Sequence, residues 1–261
     1  MKPDAFPPST AAGVRVVVRG LEKSFRGQQV LRGIDLEVAP GELLVLMGPS
    51  GSGKSVFLRH LIGLETPDSG EVLIDGQAPT EDLRSRRRLA MVFQSGGLLN
   101  SLTVGQNVGL YLTEHRLATP DEIQRIVKEK LALVRLSPDS ARKLPAELSG
   151  GMRRRAAIAR ALTMDPQLIL FDEPTAELDP MVALTIGREI VSLNRRTRAT
   201  TIVVTHDRDL AFGIAHRIAF LADGRIAAAG TPEEMRGCDL PLLREFLAAD
   251  FSPEPHPTND A

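Results

Sequence analysis

An α/β fold is what this chain predicts, and three stretches predict it. LLVLMG (43–48) is a continuous apolar run ending in Gly that leads into GPSGSGKS (48–55). LILFDEP (168–174) is a second apolar run, ending in two acids, and TIVVT (201–205) is a third. Each is followed by residues with helical character, and buried strands alternating with helices make an α/β domain.

In chain order, Val14–Arg19 and Val30–Val38 read as strands from their β-branched content and partial alternation. Residues 43–48 form the buried strand that feeds the glycine loop. VFLRHLIGL (56–64) carries apolar residues at helical spacing, and Thr66-Pro67-Asp68-Ser69-Gly70 is a turn. EVLIDG (71–76) and LAMVFQ (89–94) return to strand character. From about 97 to 148 the pattern is helical, and Thr119-Pro120-Asp121-Glu122 has capping-box spacing with Pro at the first helical position. The α/β alternation then resumes: a strand at QLILF, a helix over 180–196, a strand over 201–205 and a helix over 207–216. Two short strands flank Ala222-Asp223-Gly224, and short helices over 231–237 and 241–249 close the pattern. Residues 1–12 and 252–261 are rich in Pro and small or polar residues and read as disordered tails.

Bulk properties exclude several classes. The 261 residues carry 32 Lys+Arg against 33 Asp+Glu, without the basic excess of a general nucleic-acid binder. The one cysteine, Cys238, forbids an intramolecular disulfide and suits a reducing compartment. MKPDAFPPSTAAG lacks the apolar core of a signal peptide, and no stretch has the apolar length of a membrane span. The expectation is a cytoplasmic protein, soluble by itself and able to sit on a membrane through a partner.

Gly48, Pro49, Ser50, Gly51, Ser52, Gly53, Lys54 and Ser55 fit G-x-x-x-x-G-K-[ST] between an apolar strand and a helix. Glycines let successive backbone N–H groups turn inward, and the helix N-terminus adds positive potential where a pyrophosphate would sit. Lys54 is placed to reach the β- and γ-phosphates, and the Ser55 hydroxyl to ligate Mg²⁺. Alone, the loop says nucleoside triphosphate and leaves kinases, GTPases and motors open. Asp172 ends a strand at the edge where open α/β sheets bind ligands, and is the candidate to hold Mg²⁺ directly or through water. Adjacent Glu173 is the better candidate to polarise an attacking water.

LSGG (148–151), followed 24 positions later by an apolar strand ending in Asp-Glu, resembles the arrangement of ABC transporter ATPases. The resemblance covers roughly residues 14–235. It implies a phosphate-loop fold with a mostly parallel core sheet, an antiparallel β subdomain and a helical subdomain inserted at about 97–160. The domain would span 13–237, with a C-terminal helical extension over 238–251. ATP and Mg²⁺ are the implied cofactors. Phe25 matches the aromatic that stacks on adenine, with Val30 flanking the same ring. Gln94 matches the glutamine that approaches Mg²⁺ and senses the membrane partner, and His206 the switch histidine near the γ-phosphate; with Glu173 these are the candidate catalytic residues. Leu148, Ser149, Gly150, Gly151 and Met152 match the signature, and Asp179 closes the loop 176–179 that crosses a dimer interface. Read singly, Phe25 is also consistent with a core aromatic, Gln94 with a solvated strand end and His206 with a helix start; it is their joint order that favours a site.

The resemblance further implies a head-to-tail homodimer in which Ser149, Gly150 and Gly151 of one chain close on ATP held by the other. A hydroxyl and Gly-exposed N–H groups at a helix N-terminus do form an anion site. The implied partners are membrane permease subunits on the inner face of a bacterial inner membrane. Two positions depart from the pattern: Met152 stands where Gln is usual, and Glu177 where a small residue is usual.

Three stretches resemble one branch, the ATPase of Mla/MCE-type lipid transporters: GSGKSVFLRHLIGLETPDSGEVLIDG (51–76) with Val56, VFQSGGLLNSLTVGQNVGLYLTEH (92–115), and ELSGGMRRRAAIARAL (147–162). An MCE lipid-binding subunit would then accompany the permease. The alternatives are the ATPase of a small polar solute importer and a soluble ABC ATPase without membrane partner. The runs Arg84–Arg88 and Arg195–Arg198 read as solvated surface, and Arg153 and Arg154 as facing water or a partner. Ala156, Ala159 and Leu162 face inward at helical spacing. In 239–250, Leu242, Leu243, Phe246 and Leu247 form an apolar face that reads as core packing, with a dimer-contacting or regulatory tail as the alternative.

Overall fold

The computed structural model describes residues 13–248; the two tails and the last three residues of the extension, 249–251, lie outside them. The chain opens with an antiparallel pair, β1 (Val16–Phe25) and β2 (Gln28–Val38), whose register runs from Val16 opposite Val38 to Phe25 opposite Gln28. Both strands run longer than the sequence pattern suggests, because alternation fails at irregularities near Leu21 and Ser24 while pairing continues through them. β3 (Leu43–Met47) enters the main sheet and is followed by α1 (Lys54–Leu61). β4 (Ser69–Ile74) returns to pair with β1, completing a three-stranded antiparallel sheet in the order β2-β1-β4.

A helix absent from the sequence reading follows, α2 (Glu81–Arg87). Only Leu83 on it is a buried apolar residue, so there is no periodic signal to read, although Thr80 Oγ1 accepts from Leu83 N at 3.2 Å. β5 (Leu89–Val92) is shorter than expected and stops before Phe93. Next come α3 (Val104–Glu114), α4 (Pro120–Leu133), two 3₁₀ turns at Pro138–Arg142 and Pro145–Glu147, and α5 (Gly150–Thr163). Thr119 and Glu122 form the expected capping box on α4, with Thr119 N donating to Glu122 Oε2 at 2.8 Å.

β6 (Leu168–Asp172), α6 (Pro180–Thr197), β7 (Thr200–Thr205), α7 (Arg208–Ile214), β8 (Arg217–Ala222) and β9 (Arg225–Gly230) complete the main sheet, whose order is β5-β6-β7-β3-β8-β9. β5, β6, β7, β3 and β8 are parallel, and only β9 runs antiparallel, at the edge. Leu43, Val45 and Met47 of central β3 face one apolar cluster, shared with α3 to α7. Leu44 and Leu46 face another, shared with α1 and the antiparallel sheet. A strand buried on both faces therefore shows no alternation, only the continuous run seen in the sequence. Each fully buried Leu contributes roughly 1.5–3 kcal/mol relative to exposure.

α8 (Pro232–Arg236) and α9 (Pro241–Ala248) end the described chain. Leu243 is fully buried, Phe246 and Leu247 pack against the main core, and the Phe246 ring lies 5.3 Å from that of Phe220. Leu242 departs from that face and is exposed. Among the described residues no helix is long and apolar enough to cross a membrane.

Candidate functional site

Strand ends position the site. In the main sheet Met47 of β3 pairs with Thr205 of β7, and Asp172 of β6 with Val204, so three neighbouring strands finish level. The segments leaving those ends are the glycine loop, Glu173 and His206. Convergence of loops at the carboxyl edge of a parallel sheet is the general location for ligands in such folds.

The loop from Gly48 to Gly53 leads directly into α1. Gly53 is the N-cap, with φ of 101°, and no side chain caps the helix. An added Cβ there would stand 2.7 Å from Leu31 Cδ2 and 3.2 Å from Val30 Cγ1, so Val30 adjoins the loop. The first N–H groups of α1 are left to a ligand, which is the electrostatic requirement for holding phosphate. Lys54 is buried and folds back, donating from Nζ to the carbonyl oxygens of Gly48 and Pro49 at 2.9 Å each. Burial pushes its ammonium below the ordinary lysine range, and Glu173 beside it opposes that shift. Ser52 Oγ is buried without a hydrogen-bond partner, an unfilled donor in the cradle.

Ser55 Oγ donates to Asp172 Oδ1 at 2.8 Å. Burial raises the Asp172 carboxyl above its usual range, with the Ser55 hydrogen bond opposing and neighbouring Glu173 adding to the rise. Glu173 has φ of 46°, a left-handed conformation rare for a residue with a side chain. The turn is held by Glu173 N donating to Val204 O at 3.0 Å. Its Oε2 lies 3.0 Å from His206 Nδ1, and its Oε1 lies 3.6 Å from Lys54 Nζ. Backbone strain of this kind persists where surrounding structure over-determines it, commonly at functional sites. Lys54, Ser55, Asp172, Glu173 and His206 are thus one connected cluster.

The remaining predicted residues are distributed around this cluster. Gln94 lies two residues past β5, exposed, next to the Asp172 end of β6. Phe25 ends β1, is 38% exposed, and carries the Lys23 ammonium 5.4 Å from its ring centroid, so it is not a core aromatic. His206 does not begin the following helix; the N-cap is Asp207, whose Oδ1 accepts from Leu210 N.

The signature residues stand apart. Leu148 is buried, Ser149 and Gly150 are exposed at the N-terminus of α5, and Ser149 Oγ accepts from Met152 N at 3.3 Å. Gly151 packs against Val182 and Gly150 against Leu178, both from the segment leading into and opening α6. Met152 is half-buried against the main core. Among the described residues no hydrogen bond or ion pair joins 148–152 to the phosphate loop. Asp179 caps α6, accepting from Met181 N and Val182 N at 3.1 and 3.0 Å. Glu177 is exposed with φ of 64°.

One expectation fails here. Arg153 faces water, but Arg154 is buried and donates to the carbonyl oxygens of Phe93 and Gln94. Helical spacing carried the signal, since Arg154 shares a face with Ile158 and Ala161, both buried. The arginine run before β5 is also less solvated than expected. Arg84 donates to Ile62 O at 2.8 Å, and Arg88 pairs with Asp165 at 3.3 Å.

A hydroxyl and a carboxylate 2.8 Å apart, beside uncapped helix N–H groups and an ammonium, are hard oxygen donors of the kind Mg²⁺ takes together with substrate phosphates. Among the described residues no cluster of three or more His, Cys, Asp or Glu is placed to hold a metal ion. The residues present fit Mg²⁺, which Ser55 and Asp172 would hold. Fold and cluster together define a nucleoside-triphosphate hydrolase of the phosphate-loop class.

The family sequence profile described as ABC transporter matches residues 31–176. The chain is 40% identical over 240 residues to the "Probable ribonucleotide transport ATP-binding protein mkl" of Mycobacterium leprae, covering 90% of this chain and 69% of that protein. It is 43% identical over 223 residues to the "Sulfate/thiosulfate import ATP-binding protein CysA" of Caulobacter vibrioides, covering 84% of this chain and 66% of that one. Among solved structures, the dimeric, ADP- and Pi-bound post-hydrolysis state of the ATP-binding cassette MJ0796 superposes with a TM-score of 0.76 at 33% identity. That match covers 83% of this chain and 98% of the other. The structure of cbiO1 from Clostridium perfringens, part of the transporter complex cbiONQ, also gives 0.76, at 28% identity over 91% of this chain and 98% of that one. The chain belongs to the ABC transporter family. It is the ATP-binding part of such a transporter, an ATPase that uses Mg²⁺.

Proposed function

We propose that this chain powers a transporter of the Mla/MCE type, which moves phospholipid or a related lipid between membranes. The observation that carries this reading is the likeness of three stretches to that branch, above all the signature ending in Met152 rather than Gln. A second reading, an importer of a small polar or phosphorylated solute, has support in the names of the ribonucleotide and sulfate transport relatives. Purification of the complex from native membrane, with identification of its subunits and bound molecules, separates the two. An MCE subunit with lipid supports the first, a solute-binding protein the second, and a chain with no membrane partner would sink both.

Within either transporter, Phe25 and Val30 receive the base, and the loop from Gly48 to Ser55 cradles the phosphates. Lys54 leaves Glu173 for the β- and γ-phosphates, and the Glu173 carboxylate, freed of that partner, orients and polarises the attacking water. His206 holds Glu173 and lies near the γ-phosphate, while Gln94 approaches Mg²⁺. The cation, when bound, neutralises charge on the phosphates; Ser55 and Asp172 hold it. Ser149, Gly150 and Gly151 act on the ATP of a second copy, with the loop ending at Asp179 at the same interface. The exposure of Ser149 and Gly150, away from their own chain's phosphate loop, supports this head-to-tail dimer, as does the dimeric state of MJ0796. The chain would sit on the inner face of a bacterial inner membrane through its permease. Sedimentation with the hydrolysis-blocked Glu173→Gln variant tests the dimer: ATP should raise the mass to that of two copies, and a monomer at saturating ATP would refute it.

A further inference from the structure

Helix α5 also grips the loop that follows β5. Arg154, only 6% exposed, donates from Nη1 to Phe93 O at 2.9 Å and to Gln94 O. Less than two turns further on, Arg160 donates to Gly97 O at 2.6 Å and Gly96 O at 3.3 Å. Two guanidinium groups of one helix thus hold the carbonyls of Phe93, Gln94, Gly96 and Gly97. Neither arginine forms an ion pair among the described residues. Gly96 and Gly97 have φ of 78° and 59°, and a Cβ on Gly97 would stand 3.3 Å from the Phe93 ring and 3.4 Å from Arg160 Nη2. The loop lies flat on the helix because these two residues are glycines.

A guanidinium buried without an acid of its own is costly, and its carbonyl partners offset only part of that cost. Both Arg154 bonds come from one nitrogen, Nη1, whose two N–H groups are fixed in the guanidinium plane, and that rigidity suits fixing two successive peptide groups. The two carbonyls that Arg154 holds belong to the peptides on either side of the Gln94 Cα. Fixing both planes fixes φ and ψ of Gln94, and with them the direction in which its side chain leaves the backbone.

We infer that Arg154 is a positioning residue for hydrolysis: by locking both peptide planes around Gln94, it aims that side chain at the end of β5 beside Asp172. This rests on the proposed role of Gln94 toward Mg²⁺. Arg160 serves as the internal control, because it holds the same loop without touching either peptide of Gln94.

The test compares Arg154→Met, Arg154→Lys, Arg160→Met and Gln94→Ala in the full chain, measuring ATP hydrolysis against Mg²⁺ concentration. ATP binding is measured separately in excess EDTA. Arg154→Met should lower kcat by roughly tenfold to a hundredfold and raise the Mg²⁺ needed for half-maximal rate, with metal-free ATP binding unchanged. Arg154→Lys should fall between, since a freely rotating ammonium on a shorter side chain holds both planes less firmly than the fixed guanidinium. Arg160→Met should leave the Mg²⁺ dependence near that of the parent. The Gln94→Ala, Arg154→Met pair should be no worse than Gln94→Ala alone, as for residues acting through one another. Wild-type Mg²⁺ dependence in both Arg154 variants, beside an impaired Gln94→Ala, overturns the inference and leaves the role of Gln94 standing. Additive losses in the double variant, or equal shifts in Arg154→Met and Arg160→Met, also overturn it. Wild-type kinetics in Gln94→Ala would instead overturn the reading of Gln94 itself. If Arg154→Met does not fold, Arg154→Lys carries the same comparison.

Discussion

Glu173 Oε2 stands 3.0 Å from His206 Nδ1 while the other oxygen of the same carboxylate faces Lys54 Nζ at 3.6 Å. One side chain therefore joins the end of β6, the segment after β7 and the phosphate loop. Lys54 serves Glu173 and two loop carbonyls, and on its proposed role nucleotide binding takes this ammonium from Glu173. That competition would link binding to the release of the carboxylate proposed to polarise the attacking water.

Glu173→Gln follows from that arrangement. Gln keeps an oxygen that can accept from His206 but has no charge to hold Lys54 and cannot take a proton. Hydrolysis should fall by about 10²- to 10⁴-fold, the range for losing a general base. ATP affinity should be equal or higher, since Lys54 is no longer contested. Single-turnover hydrolysis alongside equilibrium ATP binding checks both, and wild-type turnover in the variant would refute the role of Glu173.

Asp172→Asn should separate stability from activity. In the ligand-free chain the buried carboxyl of Asp172 has its pKa raised, chiefly by burial and further by Glu173. The sign follows: the folded state holds the proton more tightly, so its stabilising contribution is complete below the ordinary value of 3.8 and is lost as pH rises through the raised one. The amide removes this loss while keeping an acceptor for Ser55. Its melting temperature should exceed that of the parent at neutral pH, with a gap that closes on acidification, while Mg²⁺-dependent hydrolysis disappears. Thermal unfolding across a pH series decides; a gap that widens toward acid would contradict the assignment.

How much of this was legible in the sequence depends on range. The glycine loop, the acids ending β6 and the helix caps at Thr119 and Ser149 are local patterns, and local patterns are set by neighbours along the chain. The core strands were legible as elements because burial on both faces leaves an unbroken apolar run. Helix α2 was not, because it has one apolar residue and is otherwise polar or charged. The fate of Arg154 was only half legible: helical spacing puts it on the buried face of α5, but nothing local names its partners. Its partners lie 61 and 60 positions away, and composition alone favours a solvated reading of three arginines in a row. Glu173 was found by its place after the strand, but its left-handed turn and its grip on Lys54 arise only once β3, β7 and β6 end level.

Gly151→Ala tests the seat of the signature helix on α6. Its new Cβ would meet Val182 Cγ1 at 2.6 Å, and a β-branched side chain anchored in a helix has little freedom to move away. The cost should be about 1–3 kcal/mol by overpacking. Gly150→Ala, whose Cβ would stand 3.3 Å from the flexible tip of Leu178, should cost less. Adding Val182→Ala should recover most of the loss in Gly151→Ala but not improve Gly150→Ala. Denaturant unfolding of these four variants and of Val182→Ala alone gives the coupling, and strict additivity would show that Gly151 and Val182 do not constrain one another.

Further along the same faces, the pair Arg155–Glu189 ties α5 to α6 as an ion pair. Arg155 Nε lies 3.2 Å from Glu189 Oε1, yet neither that nitrogen nor either glutamate oxygen makes a hydrogen bond. Glu189 is 4% exposed, and burial raises its carboxyl above the usual range, with Arg155 opposing first and Arg135 next. Removing the cation leaves a buried acid with only the weaker influence of Arg135, so Arg155→Met should destabilise by roughly 3–5 kcal/mol at neutral pH. Replacing both, as Arg155→Met with Glu189→Leu, should restore much of the loss, because a buried carboxylate paired without a hydrogen bond is a poor use of core volume. The deficit of the single variant must also depend on pH. With Arg155 gone the folded pKa of Glu189 rises further, so stability is retained below the ordinary value of 4.5 and lost as pH rises through the folded one. Unfolding measured in mild acid and at neutral pH should show the deficit shrinking toward acid. A pH-independent deficit would mean that Arg155 contributes packing rather than charge.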